Sequence, residues 1–297
     1  MSSSTDHSTL DLDRVKAAEE LKPFEERLFR ILHDLVQPGE KVDPTEAAAQ
    51  INHLFPPSED SSKAPPPEPT DENDAATDPE AFLWALWGLI IQVVRLVPPH
   101  HPGQERVIAL LQALSDLPAR SLDIWGSQQE LWSDFPILRP CLRDHLDYVG
   151  QADPDGISEW INQNSFMARL VGKGLLRWDT LIVWMMRDVL EDELPQEQIV
   201  QDCYISVASE WVTHAGSAIY SQLSDQEMTD QQKRVMKGGK LYTGKVGLCP
   251  ERWAFWKLRL VEAGQQASET LRPLASAAAD RMGEIEELAR VDKEMRG

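Results

Sequence analysis

Ten tryptophans stand in a chain of 297 residues, and nearly all of them lie in apolar segments with helix-like spacing. Each tryptophan buries roughly 150–250 Å² and usually needs a hydrogen-bond partner for its indole N–H. They are Trp84, Trp87, Trp125, Trp132, Trp160, Trp178, Trp184, Trp211, Trp253 and Trp256. So many large rings at this spacing predict the interior of a helical domain, but they indicate no reaction.

Apolar residues recur at every third or fourth position along most of the chain, which predicts amphipathic helices. Asp43-Pro44 and Asp78-Pro79 each provide an N-cap followed by proline in the first turn. Ser127–Glu130 is interpreted as a capping box before a short helix that carries Leu131 and Trp132. No segment alternates convincingly with a period of two, and no internal repeat is obvious. The sequence therefore predicts an all-α fold, a single multi-helix domain of about nine to eleven helices.

One polar segment interrupts this pattern. Residues 56–78 combine proline, serine and acidic side chains with no large apolar residue, so ordering them would bring little burial to offset the lost entropy. We predict a disordered tail over 1–9, an N-terminal helical pair over 10–55 that packs on the main body, a disordered linker over 56–78 and a main all-α domain over 79–297. A proline-rich recognition segment is the alternative interpretation of the linker.

Charge limits what the protein can bind. The chain carries 29 Lys and Arg against 49 Asp and Glu, a net charge of −20 at pH 7. Such a surface repels phosphate backbones and anionic lipids, so we expect no nucleic-acid partner and no membrane partner. The opening residues lack the apolar core of a secretory signal, and the apolar run 82–97 is too short to span a membrane. We expect a cytoplasmic protein, with the nucleus left open.

Motifs for catalysis or metal binding are missing from the sequence. It contains no GxSxG elbow, P-loop, GxGxxG or HExxH pattern. His100 and His101 are adjacent in a proline-rich turn and do not form a typical chelating pair. The acidic run from Asp188 to Glu193 resembles the aspartate-rich motif of all-α isoprenoid cyclases, but its spacing fits poorly and no second ligand triad follows. We expect no metal and no cofactor, and the catalytic residues, if any, are unknown.

Two further features are interpreted as structural. The basic, glycine-containing segment Met236–Lys240 is expected to be a mobile connection, although it could touch an anion. The three cysteines, Cys141, Cys203 and Cys249, are odd in number and far apart, which predicts reduced thiols. Cys203 in particular is expected to be a buried, inert thiol rather than a nucleophile.

Arginines on apolar helices are the remaining candidates for binding. Arg187 lies on a segment that is apolar almost all round, and a buried arginine needs acceptors. A structural ion pair is the interpretation we favour, and a pocket for a carboxylate or phosphate is the alternative; Arg95 and Arg169 raise the same question. Such a pocket would be lined by Trp160, Asn164, Arg169, Trp178, Trp184 and Arg187. Trp84, Trp87, Trp211, Trp253 and Trp256 are interpreted as packing residues.

The order of the tryptophan motifs resembles a family. The motifs are W-x-x-W at 84–87, I-W-G at 124–126, L-W-S-D-F-P at 131–136, W-x-N-x-N-x-F-x-A-R-L at 160–170, the helix 184–190 and R-W-x-F-W at 252–256. Together with the run LVPPHHPGQERVIALLQAL they resemble the fungal domain of unknown function 3632 over roughly residues 20–265. The resemblance implies a fungal, intracellular, α-helical protein without known catalytic residues, in a family type that sometimes accompanies secondary-metabolite genes.

We predict a non-catalytic binding or scaffolding protein, since no catalytic constellation is found. The alternative is a metal-independent enzyme or small-molecule carrier with the Trp/Arg-lined pocket, for which the family resemblance suggests a place in fungal secondary metabolism. Its partner would be a protein or a small apolar or anionic metabolite. The oligomeric state is not readable from the sequence.

Overall fold

The computed structural model describes residues 9–18, 21–39, 41–56, 78–146 and 153–296. Twelve α-helices and one two-stranded sheet occupy these residues, which confirms the predicted all-α class. The chain divides into two compact units, 1–148 and 149–297, so the predicted main domain over 79–297 includes helices of both. The predicted tail and linker lie outside the described residues, apart from Thr9, Pro56 and Asp78.

The first unit contains six helices and a hairpin. They are α1 (Asp13–Ala18), α2 (Pro23–Val36), α3 (Pro44–Leu54), α4 (Pro79–Arg95), α5 (Pro102–Ser115), β1 (Ser121–Ile124), β2 (Ser127–Glu130) and α6 (Leu138–Asp144). The two Asp-Pro starts are confirmed, since Asp43 accepts from the Thr45 N–H at 2.8 Å and Asp78 caps α4 in the same way. The N-terminal helices α2 and α3 pack on α5, and α2 also packs on α4.

Aromatic rings from several of these elements meet in the core of the first unit. Phe82 of α4 contacts the rings of Phe24 and Phe55 at centroid distances of 6.2 and 5.2 Å. The buried ring of Trp132 lies edge-on to Phe55 and Trp87 at 5.6 and 6.3 Å. Trp132 also donates its indole N–H to the Asn52 side chain at 2.8 Å. This cluster supports the segment that follows the hairpin.

The prediction of a helix cap at Ser127–Glu130 is wrong, because these residues form β2. The strand pairs antiparallel with β1, with Ile124 opposite Ser127. β2 has no apolar residue, and β1 alternates only through Leu122 and Ile124, so the pattern is too short to mark a strand in the sequence. Leu131 and Trp132, expected on the helix, are buried in a turn instead.

The second unit contains α7 (Pro154–Gly172), α8 (Asp179–Leu190), α9 (Gln198–Ser221), α10 (Asp230–Val235), α11 (Pro250–Gln266) and α12 (Arg272–Arg296). The long helix α9 lies at its centre and packs on α7, α8, α11 and α12. Gly172 permits the close approach of α7 and α9, because a Cβ built there would lie 1.8 Å from the His214 carbonyl oxygen. Within the described ranges, no helix combines the length and apolar character needed to cross a bilayer.

Candidate functional site

Three of the predicted pocket residues, Trp160, Asn164 and Arg169, lie on α7, the helix that packs on α9. Asn164 is fully buried; its Nδ2 donates to the Trp160 carbonyl at 2.9 Å, and its Oδ1 accepts from Trp211 Nε1 at 2.9 Å. The ring centroids of Trp160 and Tyr204 are 5.9 Å apart. Asn164 therefore uses both ends of its amide within the helix packing.

A buried carboxylate lies beside the same stretch of α7. Ser165 Oγ donates to Glu210 Oε2 at 2.5 Å, and Arg169 Nη1 lies 3.5 Å from that oxygen and also donates to Ser165. His214 Nε2 is 3.3 Å from it. Burial by itself raises the pKa of Glu210, but hydrogen bonds from His214 and Ser165 and the charges of His214 and Arg169 outweigh it and lower the pKa. The ionised carboxylate thus joins α7 to α9.

This network is suited to holding helices together rather than to nucleophilic catalysis. The Ser165 side chain is fully buried and donates its proton to a carboxylate, whereas a serine nucleophile needs an accessible oxygen and an adjacent base. Asn164 and Arg169 are among the residues predicted from the sequence, whereas Ser165, Glu210 and His214 are not. Glu210 carries no local signal, because it becomes the partner of Arg169 only when α9 packs on α7.

The other three predicted residues, Trp178, Trp184 and Arg187, lie on or next to α8. The two indole rings meet edge-on with centroids 6.3 Å apart, and Trp184 donates its N–H to the Val235 carbonyl at 2.9 Å. Arg187 pairs with Asp188 at 3.0 Å. Burial raises the pKa of Asp188 despite this pairing. The six residues therefore form two groups, one along α7 and one at α8.

A fully buried ion pair stabilises the far end of α8. Arg252 contacts Glu191 through Nε at 2.6 Å and Nη2 at 2.8 Å, and both side chains are 0% exposed. Trp256 Nε1 donates to Glu191 at 2.6 Å, and Arg252 Nη1 donates to the Met236 carbonyl at 2.7 Å. Glu191 lies in the acidic run and Arg252 in the R-W-x-F-W motif, and no sequence pattern connects them because they are 61 positions apart.

The loop predicted to be a mobile connection is tied to this ion pair. Gly239 N–H donates to the Glu191 carboxylate at 2.9 Å, and Lys240 N–H donates to Asp192 at 2.9 Å. The acidic run 188–193 thus binds protein groups. In the part of the chain that the structure describes, no cluster of three or more His, Cys, Asp or Glu side chains is placed to hold a metal ion.

The cysteines are free and buried in the structure. Burial raises the pKa of the Cys203 thiol to about 12, and it does the same for Cys141, with a further contribution from Asp144. A protonated, inaccessible thiol is a poor nucleophile.

The β1–β2 hairpin carries a different kind of tryptophan. Trp125 and Gly126 form its two-residue loop, with φ values of 55° and 77°, as in a type I′ turn. Trp125 is 64% exposed, and its indole N–H donates to the Glu80 carboxylate at 3.0 Å. Asparagine is the residue usually found at this loop position, so a bulky aromatic ring in a left-handed conformation is unusual.

Side-chain hydrogen bonds hold the hairpin in shape. Asp123 accepts from the Gly126 N–H at 2.9 Å and from Gln128 Nε2 at 3.1 Å. Ser121 Oγ donates to Gln128 at 2.9 Å. The loop that presents Trp125 is therefore fixed on both strands.

Backbone strain is concentrated around this hairpin. Trp125, Phe135 (φ 46°) and Ile137 (φ 70°) are the non-glycine residues with positive φ among those described. Phe135 and Ile137 are buried; the Phe135 ring lies 5.9 Å from that of Trp87, whose N–H donates to the Pro136 carbonyl at 2.7 Å. Core packing thus holds the segment behind the hairpin in a conformation that costs about 1–3 kcal/mol per residue.

Comparison with known proteins identifies a family. A family model described as "Protein of unknown function (DUF3632)" matches residues 87–260, more than half of the chain. No curated protein and no solved structure matches the chain. The hairpin and the three non-glycine residues with positive φ, Trp125, Phe135 and Ile137, lie inside the matched region.

Proposed function

The chain belongs to the DUF3632 family, whose function is unknown, and from this premise we propose that it is a non-catalytic binding protein that contacts a protein partner through Trp125. The single observation that supports this most strongly is the combination of exposure and strain at that residue. A tryptophan at 64% exposure contributes little burial to the fold, yet its positive φ costs stability.

Exposure alone would not support this proposal, because isolated apolar side chains are common on protein surfaces. Strain that the rest of the fold maintains is different, since it clusters at functional sites. Tryptophan is also among the residues that dominate protein interfaces. A rigid hairpin loses little conformational freedom when it binds, so more of the contact energy appears as affinity.

The surroundings of Trp125 indicate the chemistry of the partner. Glu80 accepts the indole N–H, and Asp123 lies two residues before the ring. The whole chain is acidic as well, with a net charge of −20. We infer that the partner has an apolar pocket for the indole ring, with lysine or arginine side chains around the pocket.

The competing function, a metal-independent enzyme or small-molecule carrier, is less well supported. Its pocket would need polar groups free to face a ligand. Asn164 uses its amide on Trp160 and Trp211, and Arg169 lies in an ion pair with Glu210. A cytoplasmic or nuclear location belongs to the proposal as well, and the three free, buried cysteines support a reducing compartment.

The proposal is tested by affinity purification from the source cells followed by quantitative mass spectrometry. The wild type is compared with Trp125→Ala and Trp125→Asn. Leu258→Ala serves as the matched control, because Leu258 is a large apolar residue that is 55% exposed elsewhere on the protein. We expect proteins that co-purify with the wild type and Leu258→Ala and are lost with both Trp125 variants.

Direct binding of the purified partner then gives the affinity. Loss of a central interface tryptophan commonly costs about 2 kcal/mol or more, which corresponds to roughly 30-fold weaker binding. Equal recovery of every co-purifying protein with all four proteins would contradict a role for Trp125.

A further inference from the structure

The helical pair α2–α3 carries a second surface, separate from Trp125. A groove of about 290 Å³ lies between the two helices and is lined by Arg27, Arg30, Ile31, Gln50, His53 and Leu54. On each helix the lining residues have the spacing i, i+3 and i+4, so each set forms one stripe. The groove is therefore built from two parallel stripes of an αα-hairpin.

The floor of the groove is apolar and its rim is basic. Ile31 is 9% exposed and Leu54 is half-buried, whereas Arg30 and His53 are exposed. None of the six lining residues is acidic, although the chain as a whole has 49 acidic residues against 29 Lys and Arg. This surface therefore has a charge opposite to that of the rest of the protein.

Four acidic residues, Glu25, Glu26, Asp34 and Glu46, lie on the same helices, and none of them lines the groove. Glu46 accepts from Gln50 Nε2 at 3.2 Å, and Asp34 lies 3.7 Å from the Lys41 ammonium. The carboxylates of Asp34 and Glu46 are thus already engaged by neighbouring side chains, whereas Glu26 is exposed one position before Arg27. The positive charge that faces the groove is therefore assigned to Arg30, which is exposed and has no acidic neighbour among the lining residues.

We propose that this groove binds an acidic amphipathic helix of a partner protein. The groove is open to solvent and lies at the lower end of the ~300–1,000 Å³ range of small-molecule pockets, so it suits a few anchor side chains better than an enclosed ligand. Apolar anchors one turn apart would contact Ile31 and Leu54, as in helix-in-groove recognition. A carboxylate beside the anchors would pair with the guanidinium group of Arg30.

The test uses the full chain and a fluorescein-labelled synthetic helix in which leucines recur at every third or fourth position and glutamates fill the rest. A second helix has lysine in place of each glutamate. Fluorescence anisotropy is expected to show saturable binding of the glutamate helix and none of the lysine helix. Arg30→Glu is expected to weaken binding about tenfold or more, because it replaces an attraction with a repulsion.

Two controls separate this groove from other sites. Arg234→Glu reverses an exposed arginine on α10 and is expected to bind like the wild type. Trp125→Ala is also expected to bind normally, so failure of the hairpin proposal leaves this result unaffected.

Equal binding of the two helices, or unchanged binding by Arg30→Glu, would overturn the proposal. Failure of both helices to bind would also overturn the proposal. So would binding of sodium decanoate to the wild type without binding of the glutamate helix, since the ligand would then be a small amphipathic carboxylate. Self-association that Arg30→Glu abolishes would identify a second copy of the chain as the occupant instead.

Discussion

At the scale of single residues, Trp125 has a backbone conformation that its side chain does not favour. Its φ of 55° in a type I′ loop suits asparagine or glycine. We expect Trp125→Asn to be more stable than Trp125→Ala by about 1 kcal/mol, because both lose the ring and its bond to Glu80 but only asparagine tolerates the left-handed region well. Thermal unfolding of the two variants measures this difference.

Neither variant carries the indole ring. The difference in stability between them therefore excludes the contribution of the ring. If Trp125→Ala proves as stable as Trp125→Asn or more so, the left-handed backbone at position 125 costs little, and the strain that supports the binding proposal is absent.

Glu191 is the opposite case, because its conformation and its surroundings suit it and its carboxylate has hydrogen-bond partners. Its carboxylate accepts from Arg252 and Trp256 while fully buried. Glu191→Gln removes the charge that balances Arg252, so we expect a loss of roughly 3–5 kcal/mol in the free energy of unfolding. Urea titration followed by circular dichroism provides the measurement.

Glu284→Gln is the matched control, since its partner Arg281 lies 3.0 Å away in an exposed pair. Exposed pairs contribute less than about 1 kcal/mol. A similar loss of unfolding free energy in the two variants would show that the buried pair contributes no more to stability than an exposed pair.

At the scale of elements, the contact of α7 with α9 depends on a missing side chain. A Cβ on Gly172 would overlap the His214 carbonyl, which belongs to helix backbone and cannot move aside cheaply. We expect Gly172→Ala to lower the free energy of unfolding by about 2 kcal/mol or more, as overpacking does. Urea midpoints report the change.

Gly88→Ala provides the contrast within α4, because a Cβ there would meet nothing within 4 Å. Alanine favours helix over glycine by roughly 0.5–1 kcal/mol, so this variant should be stabilised. Destabilisation of both variants alike would indicate that close helix approach is not the cause at Gly172.

The same helix contact should respond to acid through Glu210. Its pKa is lower in the folded protein than the ordinary value of 4.5, so its contribution to stability is present above that value and is lost as the pH falls through the folded pKa. Glu210→Gln should be less stable than the wild type at pH 7, and its stability should change less between pH 5 and pH 3. Urea midpoints across this range test it; parallel curves for the two proteins would contradict it.

At the scale of the whole molecule, net charge opposes compactness. A charge of −20 produces repulsion that salt screens, with a Debye length of about 10 Å at 0.1 M. We expect the melting temperature at pH 7 to rise as sodium chloride increases from low to physiological concentration. Near the sequence pI of 4.7 the dependence should be weak. A melting temperature that falls with salt at pH 7 would mean that attractive ion pairs outweigh the repulsion.

Much of the fold could be predicted from the sequence, because helix signals are local. Asp43, Asp78 and the spacing of apolar residues mark helix starts and buried faces before any tertiary contact forms. The hairpin could not be predicted in this way. Each strand has only four residues, β2 has no apolar side chain, and the loop has tryptophan where asparagine is usual.

The candidate sites show which features local sequence patterns predict and which they do not. Trp87, Trp211, Trp253 and Trp256 are fully or almost fully buried, as their spacing predicts. The sequence assigns no role to Trp125, because its exposure depends on the conformation of a loop. Pairings such as Arg169 with Glu210 form between residues distant in sequence.

The sequence by itself determined the helical class, the helix starts at Pro44 and Pro79, the family and the acidic surface. These follow from residue spacing, capping chemistry and charge, which act over a few neighbours or over the whole composition. Only the tertiary structure decided which arginine meets which carboxylate, that Trp125 stands in solvent and that Arg27 and Arg30 border an apolar groove. Those features depend on how distant helices pack, and packing places side chains that no local pattern connects.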